Sequence, residues 1–301
     1  MSKINLGVLT TEMQNENTMQ LDEMSPIDII RIMNNEDNQT VLAVQRVLPQ
    51  IAEAIKFTSD SLKNGGRIVY IGAGTSGRLG VLDAVECPPT FGVDDNTVIG
   101  LIAGGEGAFV KAVEGAEDSA EQAVTDIKGI DLKPVDTVVG LTASGRTPYA
   151  IGALQYARKM GCATVAISCN ENADISQCAD VAIELLTGPE ILTGSTRLKA
   201  GTTEKMVLNM ISTVSMIEAG KVYKNLMVDV RPTNEKLETR AENILIKITN
   251  CDRQQARKAL EEAGGETKLA IIRIMLGIDV DTARSRLAVA GGKVKDVLDT
   301  R

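Results

Sequence analysis

The sequence RIVYIGAGTSGRLG, residues 67–80, decides the fold of this chain. Its β-branched run at 68–71 predicts a buried strand, and the glycine-rich loop at 72–78 separates that strand from a helical pattern. Glycines let the backbone approach a ligand closely, and the N-terminus of a helix offers unpaired amides and a positive dipole end. Thr75 and Ser76 add hydroxyl donors. The stretch therefore predicts a strand–loop–helix unit that binds an anion.

A second loop has the same organisation. Residues 136–141 (DTVVGL) form another strand-like run, which ends in TASGRTP at 142–148. The tripeptide Ser-Gly-Arg thus occurs twice, each time between a strand and a helix, and Pro148 suits the first turn of the second helix. In a parallel sheet both loops lie at the carboxyl ends of strands, where ligands bind. We expect two hydroxyl-lined loops that hold a compact phosphate.

A dinucleotide site is the alternative interpretation of the first loop. Gly72, Gly74 and Gly77 match G-x-G-x-x-G, which also requires an acidic residue at the end of the second strand. Asp94 and Asp95 have about the right spacing, but they precede the next strand pattern. The sequence therefore favours a phosphate over a nicotinamide cofactor.

Composition limits the chemistry and the partners. The net charge of −8 argues against nucleic acid or an anionic membrane as the main partner. The 301 residues include no histidine, the commonest general acid/base and zinc ligand, so we expect neither a metal nor a cofactor. Five scattered cysteines, and an N-terminal stretch without an apolar signal segment, predict a cytoplasmic protein.

The pattern of elements predicts an α/β fold, a five-stranded parallel sheet with helices on both faces and a small helical appendage. The predicted domains are 1–236 and 237–301. The predicted strands are 67–72, 97–103, 136–141, 163–168 and 181–186. The predicted helices are one starting at Ser25-Pro26, 38–63 with a kink at Pro49, 78–86, 107–127 with a break at Gly115, 147–160, 202–222, and then 239–249, 252–263, 267–276 and 281–290.

Two carboxylates stand out as candidates for general acid/base catalysis. Glu86 directly precedes Cys87-Pro88-Pro89, and we expect the paired prolines to force extended backbone there. Glu117 follows Gly115, where the helical pattern breaks. Most glutamates on helices are merely solvated, and other carboxylates compete for these roles: Asp83, Glu106, Glu114 and Asp118.

The segment 194–205 offers cations and hydroxyls after the fifth strand. Arg197 and Lys199 are possible substrate contacts. The alternative is an ordinary charged loop in which Thr202 caps the following helix.

Several long motifs together resemble the N-acetylmuramic acid 6-phosphate etherase family, and the resemblance spans nearly the whole chain. These motifs are GAGTSGRLGVLDAVECPPTFG (72–92), LIAGGE and VEGAED (101–106 and 113–118), SGRTP (144–148), TGSTRLKAGTTEKMVLNM (193–210), and NLMVDV and TNEKL (225–230 and 233–237).

The resemblance implies a flavodoxin-like sugar isomerase (SIS) fold and a UBA-like C-terminal domain. It implies cleavage of the D-lactyl ether of the substrate to N-acetylglucosamine 6-phosphate and D-lactate, by a cytoplasmic homodimer that works in cell-wall recycling. It assigns the acid/base pair to Glu86 and Glu117. The glucokinase regulatory protein is a distant non-enzymatic member of the wider SIS group.

Residue chemistry agrees with this implication, since elimination of lactate from an opened sugar needs two carboxylates and a phosphate clamp. We expect Glu86 to act as the acid and Glu117 as the base. The predicted phosphate ligands are the hydroxyls of Ser76, Ser144 and Thr147 and the backbone of Thr75, Gly77 and Gly145. A phosphosugar sensor, a phosphosugar isomerase and an NAD enzyme are the alternatives, in that order.

Overall fold

A computed structural model describes residues 9–230 and 235–300 of the chain. The first eight residues of the N-terminal stretch, and Thr233 and Asn234 of the TNEKL motif, lie outside these ranges. The chain divides into two compact units, 1–85 with 96–212 and 86–95 with 213–301. Each unit is described separately below, and the boundary predicted at 236/237 stays a prediction.

The first unit is built on a five-stranded parallel sheet. Its strands are β1 (Ile68–Gly72), β2 (Val98–Ile102), β3 (Thr137–Thr142), β4 (Ala163–Ser168) and β5 (Val181–Glu184). They lie in the order β2-β1-β3-β4-β5, all parallel, which is the flavodoxin-like order. Both the predicted fold class and the five predicted strands are confirmed. In this topology the direction of winding reverses between β1 and β3, and ligands bind at that point.

Helices cover both faces of the sheet. Successive residues of β3 point to opposite faces, and the contacts of two neighbouring residues show a helix on each side. Val138 packs in an apolar cluster with Leu154, whereas the hydroxyl of Thr137 lies 2.7 Å from that of Ser61, on a different helix. The helices are α1 (Pro26–Arg46), α2 (Leu48–Lys63), α3 (Gly74–Phe91), α4 (Gly107–Val110), α5 (Ala120–Gly129), α6 (Pro148–Lys159) and α7 (Lys199–Glu218).

The N-terminal helices differ in one respect from the prediction. Ser25 caps α1 as expected, since its side chain accepts a hydrogen bond from the Asp28 amide. The predicted single helix 38–63 is wrong, because Val47 leaves helical geometry and α2 starts anew with Pro49 in its first turn. A proline there loses no hydrogen bond that the helix needs, so the chain breaks instead of kinking.

Helix α3 contradicts the expected extended backbone after Glu86. It starts at Gly74, four residues before the predicted start, and continues through Pro88 and Pro89 to Phe91. Both prolines fall in the final turn, so only two backbone hydrogen bonds are lost to their missing amides. Gly92, at φ +64°, then ends the helix and donates its amide to the Pro88 carbonyl. Glu86 is therefore a helical residue.

The second unit contains the helical C-terminal region. Its elements are a two-stranded antiparallel hairpin, β6 (Val222–Tyr223) with β7 (Leu226–Met227), and α8 (Glu235–Thr249), α9 (Arg253–Glu262), α10 (Thr267–Leu276), α11 (Val280–Val289) and α12 (Val294–Asp299). The four predicted helices are confirmed, whereas the hairpin and α12 were not predicted. Asp252 caps α9 with a full capping box. Within the described ranges, no helix has the length and apolarity that crossing a membrane requires.

Candidate functional site

The two glycine loops follow adjacent strands and meet at the switch point of the sheet. The backbone register of β1 and β3 pairs Gly72 with Leu141. A Cβ atom at Gly72 would lie 2.8 Å from the Leu141 carbonyl oxygen, so only glycine fits where the first loop leaves the sheet. The sequence prediction that both loops share one edge is thus confirmed by the strand pairing.

In the first loop, the backbone of Gly77 is engaged within the fold, and its predicted part in phosphate binding stays a prediction. Its amide is already used, because it donates to the Ala73 carbonyl at 3.1 Å as the first hydrogen bond of α3. A Cβ atom on Gly77 would lie 2.6 Å from the carbonyl oxygen of Gly72. Gly77 therefore packs the helix against the strand, and the amides that remain for an anion precede it, at Gly74 to Ser76.

Gly145 of the second loop likewise has its backbone engaged within the fold, and its predicted part in phosphate binding stays a prediction. Its amide donates to the Thr142 carbonyl at 3.2 Å, and its carbonyl accepts from the Ile175 amide at 2.9 Å. It has φ +76°, and an added Cβ atom would lie 2.4 Å from that of Ala173. Glycine is required there because both the left-handed backbone and the close approach exclude a side chain.

Three hydroxyls line the second loop. The Thr142 hydroxyl lies 2.7 Å from that of Thr147 and 3.2 Å from that of Ser144. Ser144 also accepts a hydrogen bond from the Arg146 amide. Thr147 precedes α6, and its side chain makes no capping hydrogen bond; its hydroxyl contacts that of Thr142, so it can donate to a ligand when the Thr142 hydroxyl donates to it. The sequence reasoning missed Thr142, although its place at the carboxyl end of a strand was a usable signal.

Glu117 lies beside the first loop. It is an exposed residue in a single turn, Ala116–Asp118, which follows Gly115 at φ +73°. Together with Gly74 and Arg78 it lines a cleft of about 190 Å³. The structure therefore brings the predicted base next to the first predicted phosphate loop.

Arg78 connects the first loop to the segment that leads to Glu117. Its guanidinium donates hydrogen bonds to the carbonyls of Ala108 and Phe109, at 2.8 and 2.9 Å. These two carbonyls belong to α4, a helix of only four residues. Arg78 is consequently a brace for this segment.

Glu86 is exposed on α3, and the next residue, Cys87, is buried. Among its competitors, Asp83 is buried and accepts hydrogen bonds from Asn209 at 2.7 Å and Ser212 at 3.2 Å. Burial raises the pKa of Asp83 against the effect of these hydrogen bonds. Asp83 is thus tied into the interior, whereas the role of Glu86 stays a prediction.

The segment around Arg197 and Lys199 divides into two environments. Lys199 is 2% exposed and its ammonium lies 2.6 Å from Glu36, so this charge is paired within the fold, and its predicted contact with the substrate stays a prediction. Helix α7 begins at Lys199, not at Thr202, because the Glu190 carboxylate accepts the amides of Lys199 and Ala200. Arg197 is exposed and has no recorded partner within the part of the chain that the structure describes.

Ser76 is engaged by a residue that the sequence reasoning did not select. Its hydroxyl lies 2.9 Å from Oε1 of Glu204, and both residues are buried. Burial raises the pKa of the Glu204 carboxyl to about 7, although the Ser76 hydrogen bond lowers it. A lone carboxylate inside the apolar pattern of α7 was the signal for an unusual position.

Comparison with known proteins gives consistent matches. The Glucokinase regulatory protein N-terminal SIS domain profile matches residues 50–158, and the SIS domain profile matches 119–217. An N-acetylmuramic acid 6-phosphate etherase from an Exiguobacterium species is 56% identical over 97% of this chain and 100% of that protein. The etherase of Serratia proteamaculans is 55% identical over 98% and 99%. A phosphoheptose isomerase structure from Francisella tularensis, 15% identical, covers 64% of this chain and 100% of its own at a TM-score of 0.50, and so shares the fold.

Proposed function

This chain belongs to the N-acetylmuramic acid 6-phosphate etherase family, and we propose that it cleaves the D-lactyl ether of N-acetylmuramic acid 6-phosphate. The products are N-acetylglucosamine 6-phosphate and D-lactate, and the physiological role is the recycling of cell-wall amino sugars. The observation that carries the proposal is identity above one half over nearly the full length of both chains.

The reaction is an elimination followed by an addition of water. Opening of the sugar ring gives an aldehyde at C1, which makes the proton at C2 acidic. Glu117 removes this proton as the C3–O bond breaks, and Glu86 protonates the ether oxygen of the departing lactate. Water then adds at C3 of the unsaturated aldehyde and restores the hydroxyl. Each carboxylate contributes roughly 10²–10⁴ in rate as a general acid or base.

The two loops at the β1/β3 switch point hold the phosphate in this proposal. The hydroxyls of Ser76, Ser144 and Thr147 donate to its oxygens, and the amides that precede Gly77 at the start of α3 supply further donors. A chain with a net charge of −8 needs such local donors to hold a dianion. Arg197, which is exposed near the start of α7, is a further contact for an anionic group.

Lactate release tests the assignment. Purified protein is incubated with N-acetylmuramic acid 6-phosphate, with and without EDTA, and D-lactate is measured. We expect lactate from the wild type in both conditions, and a loss of ~100-fold or more for Glu86→Gln and for Glu117→Gln. Glu106→Gln is the matched control, because Glu106 is an exposed glutamate in the segment between β2 and Glu117.

Other outcomes identify the alternatives. Binding of the phosphosugar without lactate would favour a sensor, whereas conversion of hexose 6-phosphates that lack the ether would favour an isomerase. Loss of activity in Glu106→Gln equal to that in Glu117→Gln would contradict the assignment of the base.

A homodimer is part of the same proposal. Helix α1 exposes several large apolar side chains, which a second copy would cover: Ile27, Ile30, Val41 and Leu42. Sedimentation equilibrium at micromolar concentration is expected to give twice the chain mass of 32.1 kDa. A sedimenting mass of one chain would contradict this proposal.

A cytoplasmic location completes the proposal. All five cysteines are free thiols, as a reducing compartment would keep them. Burial raises the pKa of Cys162 to about 11 and raises the pKa of Cys169 above its ordinary value. Cell fractionation with an antibody against the protein tests the location, and recovery in an exported fraction would contradict it.

A further inference from the structure

Glu204 is the most unusual carboxyl group in the described ranges. Its residue is 1% exposed, Oε1 lies 2.9 Å from the Ser76 hydroxyl, and Oε2 has no hydrogen-bond partner among the residues that the structure describes. A buried carboxylate without a compensating cation or a full set of donors is costly. The position therefore favours the neutral acid, and the proposed lactate chemistry gives Glu204 no role.

The groups around Glu204 do not compensate its charge. From the segment after β4, the pKa of the Cys169 thiol is raised by its burial and then by the nearby Glu204 and Glu190 carboxylates, so neither Cys169 nor Glu190 supplies a positive charge. On its own helix, the Lys199 ammonium is bound to Glu36, and Lys205 is exposed and acts on Asp83. From α3, only the neutral hydroxyl of Ser76 contacts the carboxyl group.

The state of Glu204 decides what the Ser76 hydroxyl can offer a ligand. A hydroxyl carries one proton and two lone pairs. When Glu204 is ionised, it can only accept, so the Ser76 proton is directed at Oε1. When Glu204 is protonated, its own O–H can donate to Ser76, and the Ser76 proton is free for another acceptor. Ser76 lies in the first turn of α3, where the proposed phosphate binds.

We propose that Glu204 is a positioning residue: its protonated carboxyl donates to Ser76 and thereby makes the Ser76 hydroxyl a donor to the phosphate of the ligand. Above pH 7, where Glu204 of the free protein is ionised, binding of a phosphosugar then takes up a proton from solvent at this carboxyl group. The inference rests on the proposed phosphate site. It adds to that site a buried carboxyl group whose protonation is coupled to phosphate binding. No covalent bond to the ligand forms or breaks in this step.

Calorimetric titration with N-acetylglucosamine 6-phosphate tests the coupling in the full-length protein. The heat of binding is measured between pH 6 and pH 9, in pairs of buffers that differ in ionisation enthalpy, which gives the number of protons taken up. The variants are Glu204→Gln, whose amide donates permanently to Ser76, and Ser76→Ala, which removes the acceptor. The phosphate's own protonation contributes equally to every protein, so differences between proteins isolate Glu204.

At pH 8 we expect the wild type to take up about one proton more than Glu204→Gln. Above pH 7, the Kd of the wild type should rise about tenfold per pH unit relative to that of the Gln variant. In the Ser76→Ala background, Glu204→Gln should no longer change the pH dependence, because the effect passes through Ser76. A purely structural role of Glu204 would change folding but not the proton count.

The outcomes separate this inference from the proposed function. Suppose that the wild type and Glu204→Gln take up equal numbers of protons and have parallel pH profiles, while the wild type releases lactate. This result would overturn the inference and leave the etherase assignment in place. The expected proton coupling without lactate release would support the inference and remove the etherase assignment.

Discussion

Replacing Glu204 by Gln is expected to make the protein more stable at neutral pH. Burial raises the pKa of this carboxyl from 4.5 to about 7, so the folded chain retains a proton that the unfolded chain has lost. The free energy of unfolding of the wild type therefore falls as pH rises from 4.5 through 7. The pKa differs by about 2.5 between the folded and unfolded chain, and at about 1.4 kcal/mol for each pKa unit the full loss is roughly 3–4 kcal/mol. Glutamine fills the same volume and carries no titratable proton.

Urea unfolding followed by circular dichroism at pH 5, 6, 7 and 8 measures the difference between the two proteins. We expect the stability of Glu204→Gln relative to the wild type to increase by about 1.4 kcal/mol per pH unit between 5 and 7 and to level off above 7. Because the chain has no histidine, few other groups titrate in this range. Glu53→Gln, at an exposed position on α2, is the control and should give a flat difference. A flat difference for Glu204→Gln would refute the reasoning.

Three further changes are expected to have separate effects. Asp136→Ala should lower the free energy of unfolding by roughly 3–5 kcal/mol in urea, since the buried carboxylate binds Arg67 at 2.6 Å; a loss below 1 kcal/mol would show that Arg67 finds other partners. Arg78→Ala should lower kcat roughly 10–100-fold with little change in KM, because it releases the segment before Glu117; steady-state kinetics check this, and an unchanged kcat would contradict the brace. Asp252→Ala removes the cap of α9 and should cost about 1 kcal/mol in thermal unfolding, while an unchanged midpoint would mean that the capping box is dispensable.

The sheet could be predicted from the sequence because its local signals agree. Short β-branched runs alternate with helical patterns, and glycine or proline marks nearly every boundary, as at Gly115 and Pro148. Parallel strands then place the two glycine loops at one edge without further information. These predictions depend only on chain chemistry within a few residues.

The predictions failed where the surrounding structure, which the local sequence does not show, decides what a residue does. The prolines at 88 and 89 indicate extended backbone in isolation, yet at the end of a helix their missing amides cost little. Gly77 and Gly145 looked like ligand-binding glycines, but their amides are used within their own turns and their hydrogen atoms face neighbouring backbone or side chains. Sequence spacing does not reveal such close approaches.

Partners of charged residues were the hardest feature to predict. Lys199 seemed available for a substrate because its loop is polar, but its partner, Glu36, lies more than 160 positions earlier in the chain. Glu204 pairs with Ser76 over a similar gap of 128 positions. Long-range pairing of this kind leaves no periodic trace, so it becomes visible only when the helices are in place.

The distribution of thiols limits maleimide labelling mainly to Cys178 and Cys251, the two cysteines that are partly exposed. Thiolates, not thiols, react with maleimides, so the buried Cys162 and Cys169, with their raised pKa values, should react slowly. Cys178 is partly exposed at the end of the turn Asp174–Cys178, the same turn whose Ile175 amide binds the Gly145 carbonyl. With Cys251 replaced by serine, a fluorophore at Cys178 would therefore sit on the turn that supports the second loop, and its emission would report ligand occupancy there.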